Sequence, residues 1–325
     1  MAFLHQHNYN ADCRYLQILK ERVIFLNYEA FKQAVTEQIE QQLGGEVWVE
    51  IHEIPKNNGL MREGMIIRSH QKNISPTFYL KEYFQVYESG RPLSEIVSLM
   101  AEEYQNSDLK NWKTEFFSEF EMACQHVCYK IVNYEENKKQ LKEIPYVQFL
   151  DFAIVFYYKV DQEINGGATI LIQNKHRESW GITVDELYRL AKENTIRKLP
   201  AAFMPMLEVI RDIADTEGLP SCFEEEGEDG DDLMYVLTNQ EKYLGAGCIL
   251  YPDLLKNIAD KLKSNLFILP SSIHECIIMP DSGKFTTKML EELVTDMNEH
   301  FLHKEEVLSN KIYYYNTEEE MIKFI

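Results

Sequence analysis

The segment PSSIHE, residues 270–275, carries the side chains best suited to catalysis. It has two adjacent serines, Ser271 and Ser272, followed by His274, and it lies between two apolar runs. A serine hydroxyl activated by a histidine base is a common nucleophile of hydrolytic enzymes. In an extended segment, however, Ser272 and His274 share a face at a separation of about 6.5–7 Å, which is too long for a direct hydrogen bond.

A catalytic site here would therefore need a partner from a neighbouring strand. Asp151, in the most apolar stretch of the chain, and Asn239, at the end of a predicted strand, are the candidates. The other interpretation is a polar turn whose hydroxyls bind backbone groups beside Pro270. The sequence favours this structural interpretation and a protein that is not an enzyme, with a hydrolase-like site at these residues as the alternative.

Other patterns that would indicate a cofactor or a metal are incomplete. The Gly283–Lys284 pair is followed by Phe285 and lacks the earlier glycine of a phosphate-binding loop. The triplet Gly245–Gly247 lacks the third glycine of a dinucleotide-binding fingerprint. Cys124 and Cys128 would share one face of a predicted helix, but no second ligand pair completes a metal site. We predict no cofactor and no bound metal.

Charge and composition limit the classes of partner. The chain has 325 residues, with 33 Lys and Arg against 53 Asp and Glu, and a formal net charge of −20. This charge argues against direct binding of nucleic acid or of an anionic membrane. No apolar run reaches the length of a membrane span, and no secretion signal precedes the first predicted helix. We therefore predict a soluble cytoplasmic protein whose partner is another protein.

One segment is strongly acidic. Residues 224–232 contain seven carboxylates, and they do not fit the spacing of a calcium-binding loop. Such a run is typical of a solvated loop. A third functional hypothesis is that these charges imitate nucleic acid and bind a basic partner.

The periodicity of apolar residues predicts an α+β fold with mainly antiparallel sheets and amphipathic helices. Helices are predicted at Tyr28–Leu43 and Asn111–Asn133, and a central strand at Phe149–Tyr158. Strand–strand–helix order occurs twice in the C-terminal part, which suggests a duplicated unit. Further strands and helices are expected at Met234–Thr238, Gly247–Leu250, Pro252–Lys263, Leu266–Leu269, Cys276–Met279 and Thr286–Phe301.

The predicted organisation has three parts. Residues 1–26 are interpreted as an N-terminal extension, with translation expected to begin near Leu26. Residues 27–143 form an N-terminal lobe and residues 144–325 a C-terminal α+β lobe, with the charged stretch Tyr134–Glu143 as the boundary.

Several blocks of the sequence resemble a known family. The blocks MYVLTN (234–239), GAG (245–247) and ILPSSIHE (268–275) are similar to those of an uncharacterised bacterial domain-of-unknown-function family. The likeness extends from about Asn27 to Tyr315. The resemblance implies no activity, since none is established for that family, and it agrees with the absence of a complete catalytic signature.

Overall fold

The computed structural model describes residues 26–70, 75–106, 119–160, 169–217, 234–270 and 272–325. Helices and three antiparallel sheets are present within these segments, so the predicted α+β class is confirmed. The chain divides into two compact units. One contains the described residues up to 54 together with 62–106, and the other contains 55–61 together with the described residues from 119 onward. No helix in these segments is long and apolar enough to cross a bilayer.

The first unit is built on an amphipathic helix, α1 (Tyr28–Leu43), at the predicted position. The side chain of Asn27 caps this helix by accepting a hydrogen bond from the Ala30 amide at 2.9 Å. Phe31 and Ile39 of α1 are fully buried in a cluster that includes residues of the adjacent sheet and of two further helices. These elements are β1 (Val47–Pro55), β2 (Met61–Ser69), β3 (Thr77–Tyr79), α2 (Leu80–Glu88) and α3 (Leu93–Asn106).

The turn between β1 and β2 belongs to the second unit. Asn58 in this turn is buried and has a positive φ of 58°, a conformation that asparagine tolerates better than most residues. The backbone amide of Asn58 donates to Oδ1 of Asn137 at 2.9 Å, and Nδ2 of Asn137 donates to Oδ1 of Asn58 at 3.0 Å. Nδ2 of Asn58 donates to the carbonyls of Lys304 and Val307. All polar atoms of this side chain are therefore used within the second unit.

The predicted helix Asn111–Asn133 is wrong over its described part. A short helix, α4 (Phe120–Ala123), and one 3-10 turn lead into a strand, β4 (Val127–Asn133). Most of β4 is buried and all seven of its residues pair with β6, so the strand lacks the polar–apolar alternation by which a half-buried strand is recognised. Cys124 lies in the 3-10 turn and Cys128 in β4, so the two cysteines do not share one face of a helix as predicted.

The second sheet has the order β4-β6-β5, and β7 also pairs with β6. Every residue of β6 (Phe152–Lys159) is buried, which confirms the predicted central strand. Its start is later than predicted, because Leu150 and Asp151 form the turn that follows β5 (Tyr146–Phe149). The stretch 134–143, predicted as a boundary between lobes, connects β4 to β5 of this one sheet, and the two predicted lobes are not confirmed.

Two helices follow β7 (Thr169–Leu171), namely α5 (Asn174–Trp180) and α6 (Val184–Lys198). A capping box begins α6, since the backbone amide of Glu186 donates to Oγ1 of Thr183 at 3.2 Å and the carboxylate of Glu186 accepts a hydrogen bond from the Thr183 amide at 2.8 Å. Thr195 of α6 accepts a hydrogen bond from the amide of Tyr129 at 3.0 Å. This bond fixes α6 against β4.

The third sheet has six antiparallel strands in the order β13-β12-β10-β11-β9-β8. The predicted strands at Leu266–Leu269 and Cys276–Met279 correspond to β10 and β11, which are neighbours. The elements of this part are β8 (Ala201–Pro205), α7 (Met206–Glu217), β9 (Tyr235–Asn239), α8 (Leu254–Leu262), β10 (Leu266–Leu269), β11 (Cys276–Pro280), α9 (Thr287–His300), β12 (Tyr313–Asn316) and β13 (Met321–Phe324).

The predicted strand Gly247–Leu250 is wrong, because Gly245–Leu250 forms a 3-10 helix. Its glycines are needed for close packing. A Cβ on Gly245 would lie 2.2 Å from Oγ1 of Thr238, and a Cβ on Gly247 would lie 3.0 Å from the ring of Tyr129. One of the two expected strand–strand–helix units therefore lacks its second strand.

Candidate functional site

The connection between β10 and β11, residues 270–275, contains the predicted catalytic segment. Ser272 is buried, and its Oγ accepts a hydrogen bond from the backbone amide of His274 at 3.0 Å. Burial raises the pKa of Glu275, and the Ser272 hydroxyl acts in the opposite direction. Ser272 thus closes a tight local turn beside Glu275. Ser271, the other serine candidate, lies outside the described residues.

The imidazole of His274 is held by backbone atoms. Its Nδ1 accepts a hydrogen bond from the amide of Leu244 at 3.1 Å, which assigns the proton of the neutral ring to Nε2. Nε2 lies 3.8 Å from Oε1 of Glu306, and the ring contacts the ring of Tyr243 at a centroid distance of 5.2 Å. Burial is the main cause that lowers the pKa of His274, with the charge of Glu306 acting in the opposite direction. The neutral ring therefore has a structural role, because it holds the backbone at Leu244.

Asn239 shapes the loop that supplies the Leu244 amide. Its Oδ1 accepts the amide of Glu241 at 3.0 Å, and its Nδ2 donates to the carbonyl of Tyr243 at 2.8 Å. The amide of Gly245 then donates to the carbonyl of His274 at 2.9 Å. The three blocks that carry the family resemblance therefore meet in one hydrogen-bond network.

Asp151 takes part in a different network. Its carboxylate accepts hydrogen bonds from the hydroxyls of Tyr313 and Ser309, and it forms an ion pair with Lys311 at 3.3 Å. Burial and, secondly, the hydrogen bond to Asp151 raise the pKa of Tyr313. None of the contacts of Asp151 in the described residues involves Ser272 or His274. The structure thus brings Ser272, His274 and Asn239 together and leaves Asp151 apart, and a catalytic role for any of them stays a prediction.

A cavity adjoins this network, and Thr238 and Glu275 line it. It is partly open, has a volume of about 270 Å³, and lies on the sheet of the second unit. Its floor is a row across three paired strands formed by Met204, Val236 and Ile277. Residues of α7 and the end of α9 form its walls, including Phe301, whose side chain is 77% exposed. The cavity is therefore a predominantly apolar site of small-molecule size.

Three residues bring polar atoms to the cavity wall: Thr238, Lys242 and Glu275. The Thr238 hydroxyl donates its proton to the carbonyl of His274 at 2.7 Å, so it has no proton left to donate to a ligand. Lys242 lies 4.0 Å from Asp212, and its side chain is 60% exposed. Burial raises the pKa of Glu275 above its usual range, with the Ser272 hydroxyl acting in the opposite direction and the charge of Glu306 adding to the rise. Glu275 is thus a carboxylate at the cavity wall whose pKa is raised by burial.

Sequence reasoning did not single out Glu275 as a site residue. The signal was present, because Glu275 precedes the buried strand β11 and strand alternation places it on the same face as Ile277. The cavity itself could not be found in this way, since its walls come from helices that are distant in the sequence. The described residues contain no cluster of three or more potential metal ligands.

These features define an α+β protein with a partly open apolar cavity that carries one perturbed carboxylate. The chain belongs to DUF5688, a family of unknown function whose model matches residues 28–317. The predicted membership of a domain-of-unknown-function family is therefore confirmed, and the three blocks fall inside the match. No curated protein and no solved structure shows significant similarity to the chain.

Proposed function

We propose that this protein works by binding and that the 270–275 connection supports the binding site rather than catalysing a reaction. The observation that carries the proposal is the state of the His274 ring. Nδ1 accepts the Leu244 amide, so Nε2 carries the proton and no lone pair is left for a general base. The Oγ of Ser272, which would be the nucleophile, accepts a hydrogen bond from the backbone amide of His274 and not from its ring.

The cavity is the place where we propose that binding occurs. Apolar lining with a few polar groups is typical of ligand sites in proteins. Two exposed apolar side chains at its walls, Phe301 at 77% and Ile213 at 51% exposure, would lose contact with water when a ligand occupies the cavity. Burial of that apolar area supplies the driving force for binding.

Another protein is the partner that the sequence favours, and the net charge of −20 favours partners or ligands that carry positive charge. The cytoplasm remains the predicted compartment. In the described part of the chain Cys124, Cys128, Cys248 and Cys276 are free thiols, as is usual in a reducing compartment. The hypothesis of nucleic-acid imitation concerns residues 224–232, which lie outside the described residues, and it stays a prediction.

The test compares a variant that fills the cavity with one that does not. Val236→Phe places a larger side chain on the cavity floor, whereas Met289→Phe makes a similar change at a half-exposed position of α9 outside the cavity. Each protein is isolated from its native cells under non-denaturing conditions, and native mass spectrometry identifies what remains bound. We expect the bound species to be lost from Val236→Phe and retained by Met289→Phe.

A catalytic function would give a different result. His274→Asn keeps an acceptor for the Leu244 amide but removes the imidazole. We expect this variant to retain the bound species and to show no difference from the wild type on ester, amide and phosphoester substrates. If hydrolysis by the wild type is lost in His274→Asn while the melting temperatures are equal, the binding proposal is wrong.

A further inference from the structure

We propose that the cavity takes a small primary amine with an apolar body, whose ammonium group pairs with the carboxylate of Glu275. This inference rests on the proposed binding function and specifies its ligand class.

The carboxylate of Glu275 lacks a cationic partner among the described residues. The two side chains that act on its pKa are the neutral hydroxyl of Ser272 and a second carboxylate, Glu306. Lys242, the lysine of the cavity wall, lies close to Asp212. His274, the preceding residue, is neutral because its Nδ1 accepts a backbone amide. The negative charge at this wall is therefore uncompensated.

A bound cation would relieve the cost of this arrangement. Burial in an apolar environment disfavours an ionised carboxylate, and the pKa of Glu275 is raised for this reason. An ammonium group placed next to the carboxylate restores the ionised form and gains a charge-assisted hydrogen bond. A neutral alcohol gains much less, and an anion would be repelled by both Glu275 and Glu306.

The size and lining of the cavity set the rest of the ligand. The volume of about 270 Å³ lies just below the usual range of ligand sites, so the body is small, such as one aromatic ring with a short chain. The floor formed by Met204, Val236 and Ile277 offers no hydrogen-bonding side chain. Because strand alternation places Ile277 and Glu275 on the same face, the apolar body and the ammonium group can be bound at the same time.

Lys242 raises the alternative that the cavity binds a carboxylate ligand instead of an amine. Its ammonium group is at the cavity wall and would attract a carboxylate ligand. Its side chain, however, is 60% exposed and lies near Asp212, so its charge is screened by solvent and by that carboxylate. The net charge of −20 adds a long-range attraction for cations. The amine is therefore favoured over the acid.

The experiment measures three probes with the same ring by isothermal titration calorimetry: 2-phenylethylamine, 2-phenylethanol and 3-phenylpropionate. We expect the amine to bind to the full-length protein at least about tenfold more tightly than the alcohol, as one charge-assisted hydrogen bond provides. Glu275→Gln should remove this preference and leave the affinity for the alcohol unchanged. The control Glu292→Gln, which removes one negative charge from an exposed position of α9, should retain it.

The remaining outcomes separate the two proposals. Val236→Phe should block all probes, and the affinity of the wild type for the amine should fall on acidification as Glu275 becomes protonated. Tightest binding of the acid, equal binding of amine and alcohol, or no binding of any probe overturns the amine proposal. If amine and alcohol bind equally and Val236→Phe blocks both, the cavity is still a binding site and only the ligand class is wrong. Loss of hydrolysis in His274→Asn would instead contradict the binding function itself.

Discussion

Lys130 lies in the middle of β4, where it pairs with Val155 of β6. Burial, and to a lesser degree the positive charge of Lys56, lowers the pKa of Lys130 from 10.5 to about 8. Between about pH 8 and 10.5 the unfolded chain therefore binds more protons at this residue than the folded chain does. The contribution of Lys130 to stability must rise with pH in this window, and below it the fold carries the cost of a half-buried charge.

The size of this cost follows from the change in pKa. A decrease from 10.5 to about 8 corresponds to about 3 kcal/mol in the free energy of unfolding. This is an upper bound, because the side chain of Lys130 keeps some contact with solvent, which screens its charge. Lys130→Met retains most of the side-chain volume and removes the charge. We expect it to stabilise the protein at neutral pH by about 1–2 kcal/mol, and we expect the gain to vanish towards pH 10.5.

Urea unfolding at a series of pH values from 7 to 10 measures this difference. Burial raises the pKa values of cysteines such as Cys128 and Cys248 in the folded state, so these groups titrate near the upper end of the range only in the unfolded chain and also change the stability with pH. The quantity to compare is therefore the free energy of unfolding of the variant minus that of the wild type at each pH. Lys288→Met, at a position where the side chain is 83% exposed, serves as the control and should show no trend. A Lys130→Met protein that is less stable than the wild type at pH 7, or whose advantage does not depend on pH, would refute the reasoning.

Two further variants test the network around the 270–275 connection. Gly245→Ala should lower the free energy of unfolding by about 3 kcal/mol, because the added Cβ would lie 2.6 Å from the amide nitrogen of Asn239 and 2.7 Å from the carbonyl oxygen of His274. Gly45→Ala, where no atom lies near the added Cβ, should change it by less than about 0.5 kcal/mol in chemical denaturation. For His274, whose pKa is lowered by burial, the unfolded chain binds the proton more tightly, so the wild type should lose stability relative to His274→Asn as the pH falls below 6.5. Equal acid sensitivity of the two proteins in thermal melts would show that the ring is not held neutral.

Helices whose start or buried face is marked by residues close together in the sequence could be predicted from local patterns. The four-residue recurrence of Phe31, Val35 and Ile39 identifies α1, and the Thr183–Glu186 pair identifies the start of α6. β4 was missed because a strand buried on both faces has no alternation, and its apolar residues also fit one side of a helix. The 3-10 helix at Gly245 was missed because the small residues are required by the distant side chains of Thr238 and Tyr129.

In the candidate site, too, the sequence predicts the local features but not those that depend on distant elements. The sequence identified Ser272, His274 and Asn239 as polar residues beside buried strands, and the structure brings these three together. Their roles depend on partners that come from other elements, such as the Leu244 amide that binds His274. The cavity depends on helix packing, and no periodicity in one segment describes a space between several elements.

The turn between β1 and β2 has a chemical consequence. Asn58 and Gly59 form the dipeptide in which asparagine most readily deamidates, because the backbone amide nitrogen of the glycine can attack Cγ of the asparagine side chain and expel ammonia, which leaves a succinimide. Here the side chain of Asn58 is bound by Asn137 and by the carbonyls of Lys304 and Val307. Succinimide formation requires these hydrogen bonds to break, so local opening of the fold controls the rate of deamidation at Asn58. The native hydrogen bonds of Asn58 therefore slow the deamidation of this Asn-Gly pair.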